Sequence, residues 1–194
     1  MHIEYEATFP HIEIEDVRSR LLASGAVLVR PMFLQKRAVF FLPEGHEVKG
    51  GWLRVRDEGD KITMSFKVVD GGTIQNQKEI CLTVDSFTEA CDMLIGIGCT
   101  QKAYQETRRE LWTLDGVAIT IDEWPFLSPF VEVEGESESV VKNVSERIGF
   151  SYADARFCHV GTLYGEKYGF HESVFNDETP LLTFDMENPF VGKM

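Results

Sequence analysis

The chain has 194 residues and carries 19 basic against 32 acidic side chains, a formal charge of −13 at pH 7. That surplus argues against nucleic acid or an anionic membrane as the main partner, because phosphate surfaces call for a basic face, but it leaves room for a small anion in a locally basic cavity. The length suits one domain with an ample core. Cys81, Cys91, Cys99 and Cys158 form no CxxC pair, and there is no signal peptide or long apolar run, so a reduced, cytoplasmic protein is expected.

The first element, HIEYEATF, alternates Glu4 and Glu6 with Ile3, Tyr5, Ala7 and Phe9. Successive side chains of a strand point to opposite faces, so both carboxylates share one face. Residues 14–16 lead into VRSRLLASG, where Val17, Leu21 and Leu22 form a helical stripe and Gly25 a stop. Segments near 32–41, 51–56, 61–69 and 76–84 read as strands, with EGD at 58–60 as a hairpin turn. Asp85 and Ser86 offer an N-cap to a helix through Ile97 that carries Phe87, Ala90, Cys91, Leu94 and Ile95 on one side.

Strands return at about 107–114 and 117–124, joined through Asp115 and Gly116, a pair that favours a tight hairpin. An eighth strand, 129–135, reads PFVEVEG and repeats the alternating carboxylates as Glu132 and Glu134. A third helix is predicted from about Glu138 to Ile148, ending at Gly149. After Ser151 the pattern is mixed, with a helix expected around residues 155–168 and an irregular, proline-containing tail. No repeat or linker forces a domain cut. The expected division is a domain over 1–170 and a C-terminal tail over 171–194, which could pack on the same domain.

Alternation alone is the usual mark of a sheet with one face in water. Eight strands interrupted by three helices can also close into a barrel, whose interior alternates with its exterior along every strand. With helices outside, the apolar faces point outward and the polar faces converge. Leu53 and Val55 oppose Arg54 and Arg56; Ile62, Met64 and Phe66 oppose Thr63, Ser65 and Lys67; Ile119 and Ile121 oppose Thr120 and Asp122. The fold class predicted is α+β, an eight-stranded antiparallel β tunnel with helices packed outside.

In this order the motifs resemble the CYTH family, the triphosphate tunnel metalloenzymes that include class IV adenylyl cyclases, thiamine triphosphatases and inorganic tripolyphosphatases. Glu4 and Glu6 fall on the family's opening ExExK signature. LRVR at 53–56 falls on its paired arginines and SFK at 65–67 on its lysine strand. TRRELW at 107–112, ITIDEWP at 119–125 and FVEVEG at 130–135 follow in register. The motifs span residues 2–136, and the resemblance extends to about 170. It implies Mg²⁺ or Mn²⁺ as cofactor and a small-molecule triphosphate as substrate. A homodimer is compatible with it, with no stretch marking an interface.

For the metal, the residues expected are Glu4, Glu6, Glu132 and Glu134, since hard cations take oxygen ligands and crowded carboxylates repel without a cation. For phosphate, Arg54 and Arg56 offer planar donor forks and Lys67 a compact point charge. Arg109 is carried over from the matching strand, Arg37 is a further candidate, and Arg108 has the opposite parity. Asp122 matches the family's acidic position on the seventh strand, where it orients a base or a metal-coordinated water. Asp122, Lys67 and Arg54 are the expected catalytic residues. Glu79 balances charge or steers the nucleotide or leaving group, if it faces inward.

One departure stands out: Thr8 occupies the place of the signature lysine, keeping a hydrogen-bond donor but losing charge and reach. Lys36 and Arg37 are the nearby bases that could compensate. The function expected is metal-dependent hydrolysis of a triphosphate compound or cyclisation of ATP, and the alternative is a catalytically weak triphosphate or polyphosphate sensor. The histidines show no HxxxH or HExxH spacing, so no zinc site is expected. Trp124 and Phe126 suit a tunnel mouth or simple packing.

Overall fold

The computed structural model describes residues 1–192. Its frame is a single sheet that closes because one strand changes partners midway. β1 (His2–Ile3) pairs with β6 (Gln77–Val84), whereas β2 (Tyr5–Pro10) pairs with β9 (Phe130–Gly135). Between them the Glu4 amide donates to the Gln77 carbonyl at 2.9 Å, and the Glu4 carbonyl accepts from the Glu6 amide at 3.0 Å. The backbone thus turns out of one ladder and into the next at the residue that carries the first carboxylate.

The remaining strands are β3 (Val27–Phe41), β4 (Gly51–Asp57), β5 (Ile62–Val69), β7 (Thr100–Leu114) and β8 (Val117–Glu123). Their order is β1-β6-β5-β4-β3-β7-β8-β9-β2, and β10 (Leu181–Leu182) adds a short parallel pairing to β7. With β1 and β2 as halves of one strand and β10 set aside, this is the eight-stranded antiparallel tunnel expected from the alternation. The turns fit their residues: Asp115 (φ 50°) and Gly116 (φ 83°) both take the left-handed conformation that a tight two-residue hairpin demands.

Among the described residues five α-helices surround the tunnel: α1 (Ile14–Ala23), α2 (Phe87–Gly96), α3 (Glu138–Arg147), α4 (Val160–Tyr168) and α5 (Ser173–Glu178). Val17 and Leu21 of α1 and Val141 and Val144 of α3 pack on the outward residues Ala7, Ile119, Ile121, Val131 and Val133. Ala90 and Leu94 of α2 cover Ala38, Phe40 and Val55. Ser86 caps α2 as predicted, accepting the Glu89 amide at 3.2 Å. Apolar burial of this kind contributes about 1.5–3 kcal/mol per large side chain, and here it faces outward from the barrel, leaving the interior to polar groups.

Three expectations on boundaries are corrected. β3 and β7 begin well before the predicted 32 and 107; the β3 extension pairs with residues 111–113 of β7 across bulges near Arg30 and Phe33, and the β7 extension pairs with residues 36–41 of β3 across a further shift at Val39 and Phe40, so the period of two is broken in both. The helix expected from 155 starts only at Val160, because Arg156 and Thr8 exchange both backbone hydrogen bonds, at 2.9 and 3.0 Å. The tail is not irregular throughout: α5 and β10 form there, and Phe175, Leu182 and Phe190 are buried with Trp124, Phe130 and Tyr164.

α1 is held to the barrel by Glu110, a buried carboxylate on the outward face of β7. It accepts from Arg18 Nη2 at 2.6 Å and Nε at 3.1 Å, and from Trp112 Nε1 at 2.6 Å. Glu110→Ala is expected to cost about 2–3 kcal/mol, mainly by leaving the buried indole N–H unpaired, as read by urea denaturation. Arg18 is one-third exposed, so Arg18→Met should cost clearly less.

Candidate functional site

The register sets which side chains meet inside. Arg37 lies opposite Arg56 on one side and Gln105 on the other. Arg54 is opposite Ser65, Lys67 opposite Glu79, Arg109 opposite Asp122, and Glu132 opposite both Thr8 and Thr120. Residues in direct register share a face, so the bases and acids named from the sequence project into one interior. Lys36 and Arg108 take the outer face; Arg108 lies 3.6 Å from Glu123 and over the Phe184 ring. Of the two bases expected to compensate for the missing lysine, only Arg37 is inside.

Each base is positioned by a partner. Arg54 Nη2 donates to Glu79 Oε1 at 3.1 Å, and Arg56 Nε donates to Glu58 Oε1 at 2.9 Å. Arg109 grips Asp122 with Nε at 2.7 Å and Nη2 at 3.0 Å, and its Nη2 also reaches Glu132 at 2.6 Å. Asp122 is fully buried and accepts in addition from the Thr120 hydroxyl at 2.5 Å. Arg37 donates to Thr107 at 2.7 Å and Gln35 at 3.1 Å, with its guanidinium 4.6 Å from the centre of the Trp124 ring.

The electrostatics of the basic side are those of crowded, desolvated cations. Burial, then the charges of Arg54, Arg56 and Arg109, hold the Arg37 guanidinium well below its ordinary range. Burial, then Arg54 and Arg109, bring Arg56 down to about 10. Like charges forced together in a desolvated space are what a bound polyanion relieves. The Nε atoms of Arg37 and Arg54, the Gln35 amide nitrogen and the Thr63 and Ser65 hydroxyls are buried without a protein partner. Such a concentration of unpaired donors suits a ligand rich in acceptors.

On the acidic side, carboxylate oxygens of Glu4, Glu6 and Glu134 lie within 4.8 Å of one another. Lys67 Nζ donates to Glu4 at 2.9 Å. Although burial opposes its charge, Glu4, Glu6 and Glu79 keep the ammonium above its ordinary value. Burial, then Glu132 and Glu4, push the Glu6 carboxyl well above the usual range. Burial and Asp122 raise Glu132; loss of solvation between the walls, then Glu4, raises Glu134, although solvent reaches it. Burial also works against the Glu79 charge, but Lys67 and Arg54 outweigh it and bring the carboxyl down to about 2.

A hard divalent cation fits Glu4, Glu6 and Glu134, since it takes oxygen donors and removes their mutual repulsion. Glu132, grouped with them from the sequence, is turned to Arg109. Thr8 is buried, with its backbone tied to Arg156.

Several interior groups escaped the sequence reading. Gln35 and Thr107 stand two residues before Arg37 and Arg109, so strand parity could have found them. Glu58, in the predicted turn, is buried against Arg56. His159, Glu172 and Asp177 lie beyond the strands, and nothing in their local pattern marked them. They border a cavity of about 410 Å³ that also touches Glu6, Arg37 and Arg54.

This is the tunnel and charge pattern of a family. The CYTH domain model matches residues 2–147, and the chain belongs to that family, known for metal-dependent chemistry on triphosphates. No curated protein matches it. Solved structures share the fold. A proposed adenylate cyclase from Vibrio parahaemolyticus aligns at TM-score 0.72 and 11% identity over 84% of this chain and 98% of its own. The PH1012 protein of Pyrococcus horikoshii OT3 aligns at 0.64 and 20% identity, over 78% and 93%. HpAC1 of Hippeastrum, a proposed adenylyl cyclase with a dominant triphosphatase activity, aligns at 0.57 and 15%, over 87% and 97%. At these identities the likeness is one of fold.

Proposed function

We propose that this chain is a divalent-metal-dependent enzyme acting on a triphosphate compound. It either hydrolyses tripolyphosphate, thiamine triphosphate or a nucleoside triphosphate, or cyclises ATP to cAMP. The observation that carries the reading is the meeting of Arg37, Arg54 and Lys67 with Glu6 and Glu132 around one cavity, beside the Glu4, Glu6 and Glu134 cluster. A long surface groove would screen these charges; a closed barrel does not.

Glu4, Glu6 and Glu134 would hold Mg²⁺ or Mn²⁺, which when bound supplies Lewis-acid polarisation of phosphoryl oxygens. Arg54 and Arg56, each aligned by a glutamate, present donor forks to the phosphates, and Lys67 adds a point charge. Arg109, aimed by Asp122, can neutralise developing charge. Phosphoryl transfer needs positioning and charge neutralisation more than a protein nucleophile. In hydrolysis water attacks the terminal phosphorus, its bond to the bridging oxygen breaks, and orthophosphate and the diphosphate portion are released; in cyclisation the ribose 3′ oxygen attacks the α-phosphorus and pyrophosphate leaves.

The test is an assay of tripolyphosphate, thiamine triphosphate and ATP with Mg²⁺ or Mn²⁺ and identification of products. Turnover of at least one is expected, and silence on all three with both metals overturns the enzyme. Arg54→Ala should weaken triphosphate binding about 10- to 100-fold, the effect of losing charge-assisted hydrogen bonds; an unchanged Kd by calorimetry would remove Arg54 from the site.

Thr8 favours a second reading, a triphosphate or polyphosphate sensor. It leaves the interior one cation poorer than the family signature, and its position opposite Glu132 gives that carboxylate no lysine. Tight metal-dependent binding without turnover, in both the native chain and Thr8→Lys, would support the sensor. Turnover gained in Thr8→Lys alone would identify an enzyme weakened at this residue.

A further inference from the structure

The family match ends at residue 147, but the cavity does not. Residues 158–177 finish its wall, and that end differs in chemistry from the phosphate end. Along each strand the interior turns apolar as it approaches them: Val39 and Phe41 follow Arg37, Trp52 precedes Arg54, Val69 follows Lys67, and Ala103 precedes Gln105. Basic and acidic side chains meet here in two contacts. Lys102 Nζ is 3.3 Å from Asp177 and 5.0 Å from the centre of the Phe41 ring. His159 Nδ1 is 3.6 Å from Glu172, too far for a hydrogen bond, and is buried without a partner.

The cap is built to hold this arrangement. The His159 ring stands edge-on to Trp52, with centroids 6.0 Å apart at 89°. Asn176, another cavity residue, has its side-chain oxygen 2.7 Å from where a Cβ on Gly161 would lie, so glycine there lets α5 close onto α4. Burial keeps the His159 imidazole below its ordinary range, so the ring is neutral at pH 7 and can donate or accept.

We propose that residues 158–177 form a head-group site with His159 as its specificity-determining residue. The site would accept a flat, amino-substituted heteroaromatic ring on a triphosphate and disfavour a further phosphate. The apolar walls favour a planar ring, the Glu172 and Asp177 carboxylates can accept from an exocyclic amine, and Glu172, which faces a neutral imidazole while Asp177 is paired with Lys102, repels the extra charge of a longer polyphosphate. This rests on the triphosphate reading above and assigns the substrate class within it.

The test is calorimetry on the full chain with Mn²⁺, using ATP, thiamine triphosphate, inosine triphosphate and tripolyphosphate. At least one of the two amino-bearing ligands is expected to bind about tenfold tighter than both inosine triphosphate and tripolyphosphate. His159→Ala and, independently, Glu172→Gln should abolish that preference while leaving tripolyphosphate affinity unchanged, which also reports that each variant folds. Equal binding of all four, or variants that weaken tripolyphosphate as much as the organic ligands, overturns the proposal. If tripolyphosphate binds in an Arg54-dependent way but no preference exists, only the head-group site fails; if nothing binds, the triphosphate reading fails with it.

Discussion

Glu6→Gln is expected to weaken Mn²⁺ binding at least tenfold and to lower turnover about 100-fold, without unfolding the barrel. Lys67 goes to Glu4 and Arg109 to Glu132, so among the described residues Glu6 has no ion-pair partner of its own. It therefore has most to gain from a bound cation. Its carboxyl, with those of Glu132 and Glu134, is raised by burial and by neighbouring carboxylates. The folded chain thus holds these protons more tightly than the unfolded chain does. Their stabilising contribution is fully present below the ordinary glutamate range and is lost as pH rises through the raised values.

Metal-free protein should accordingly lose thermal stability as pH rises above the ordinary glutamate range, with Mn²⁺ restoring it at the upper end. Glu6→Gln should flatten the slope, because the amide keeps the shape and carries no charge. Melting curves in chelator across the pH series read this directly. A metal-free Tm that climbs with pH over the same interval would mean that the carboxylates are neutralised by the bases, leaving no role for a cation. Metal affinity carries the matching dependence, weakening as pH falls and protons compete for the same oxygens.

Much of the tunnel was legible because a strand's period of two is a local property. LRVR, ITMSFK and ITIDE each display two faces within a few residues, and inward parity followed once the apolar face was assigned to the helices. What the sequence could not display was pairing. Whether Arg109 meets Asp122 or Thr120 depends on register across a turn, and the division of glutamates between Lys67, Arg109 and the open cluster depends on side-chain directions after closure. The seam at Glu4 is a single backbone departure and leaves no compositional trace. The early parts of β3 and β7 were hidden for a related reason: Pro31 and the bulges break the alternation, and those residues become strand only because each pairs with the far end of the other strand. His159 and Glu172 belong to helices and loops whose local pattern reports packing, so their place in the cavity that Arg54 also lines is a tertiary fact.

Asp122→Ala is expected to destabilise the chain by about 3–5 kcal/mol, the cost of removing one partner from a buried ion pair. The carboxylate is inaccessible to water, bonds Arg109 through both oxygens and accepts from Thr120. Arginine cannot shed its charge to escape the loss, and Glu132 alone would have to hold it. That shift would turn the guanidinium toward the Glu132 side and away from the bidentate alignment Asp122 imposes. Asp122→Asn separates the two roles: the amide preserves volume and one acceptor, so about half the stability loss should return, while the second charge-assisted bond stays missing. If Asp122 acts by aiming Arg109, the asparagine variant should lose kcat about 10- to 100-fold with KM little changed. Arg109→Lys should lose a similar factor, because a point charge cannot bridge Asp122 and Glu132 together. A structural role alone would return full kcat in Asp122→Asn once the protein is shown folded, and that outcome would move Asp122 from the positioning machinery to the barrel's internal framework.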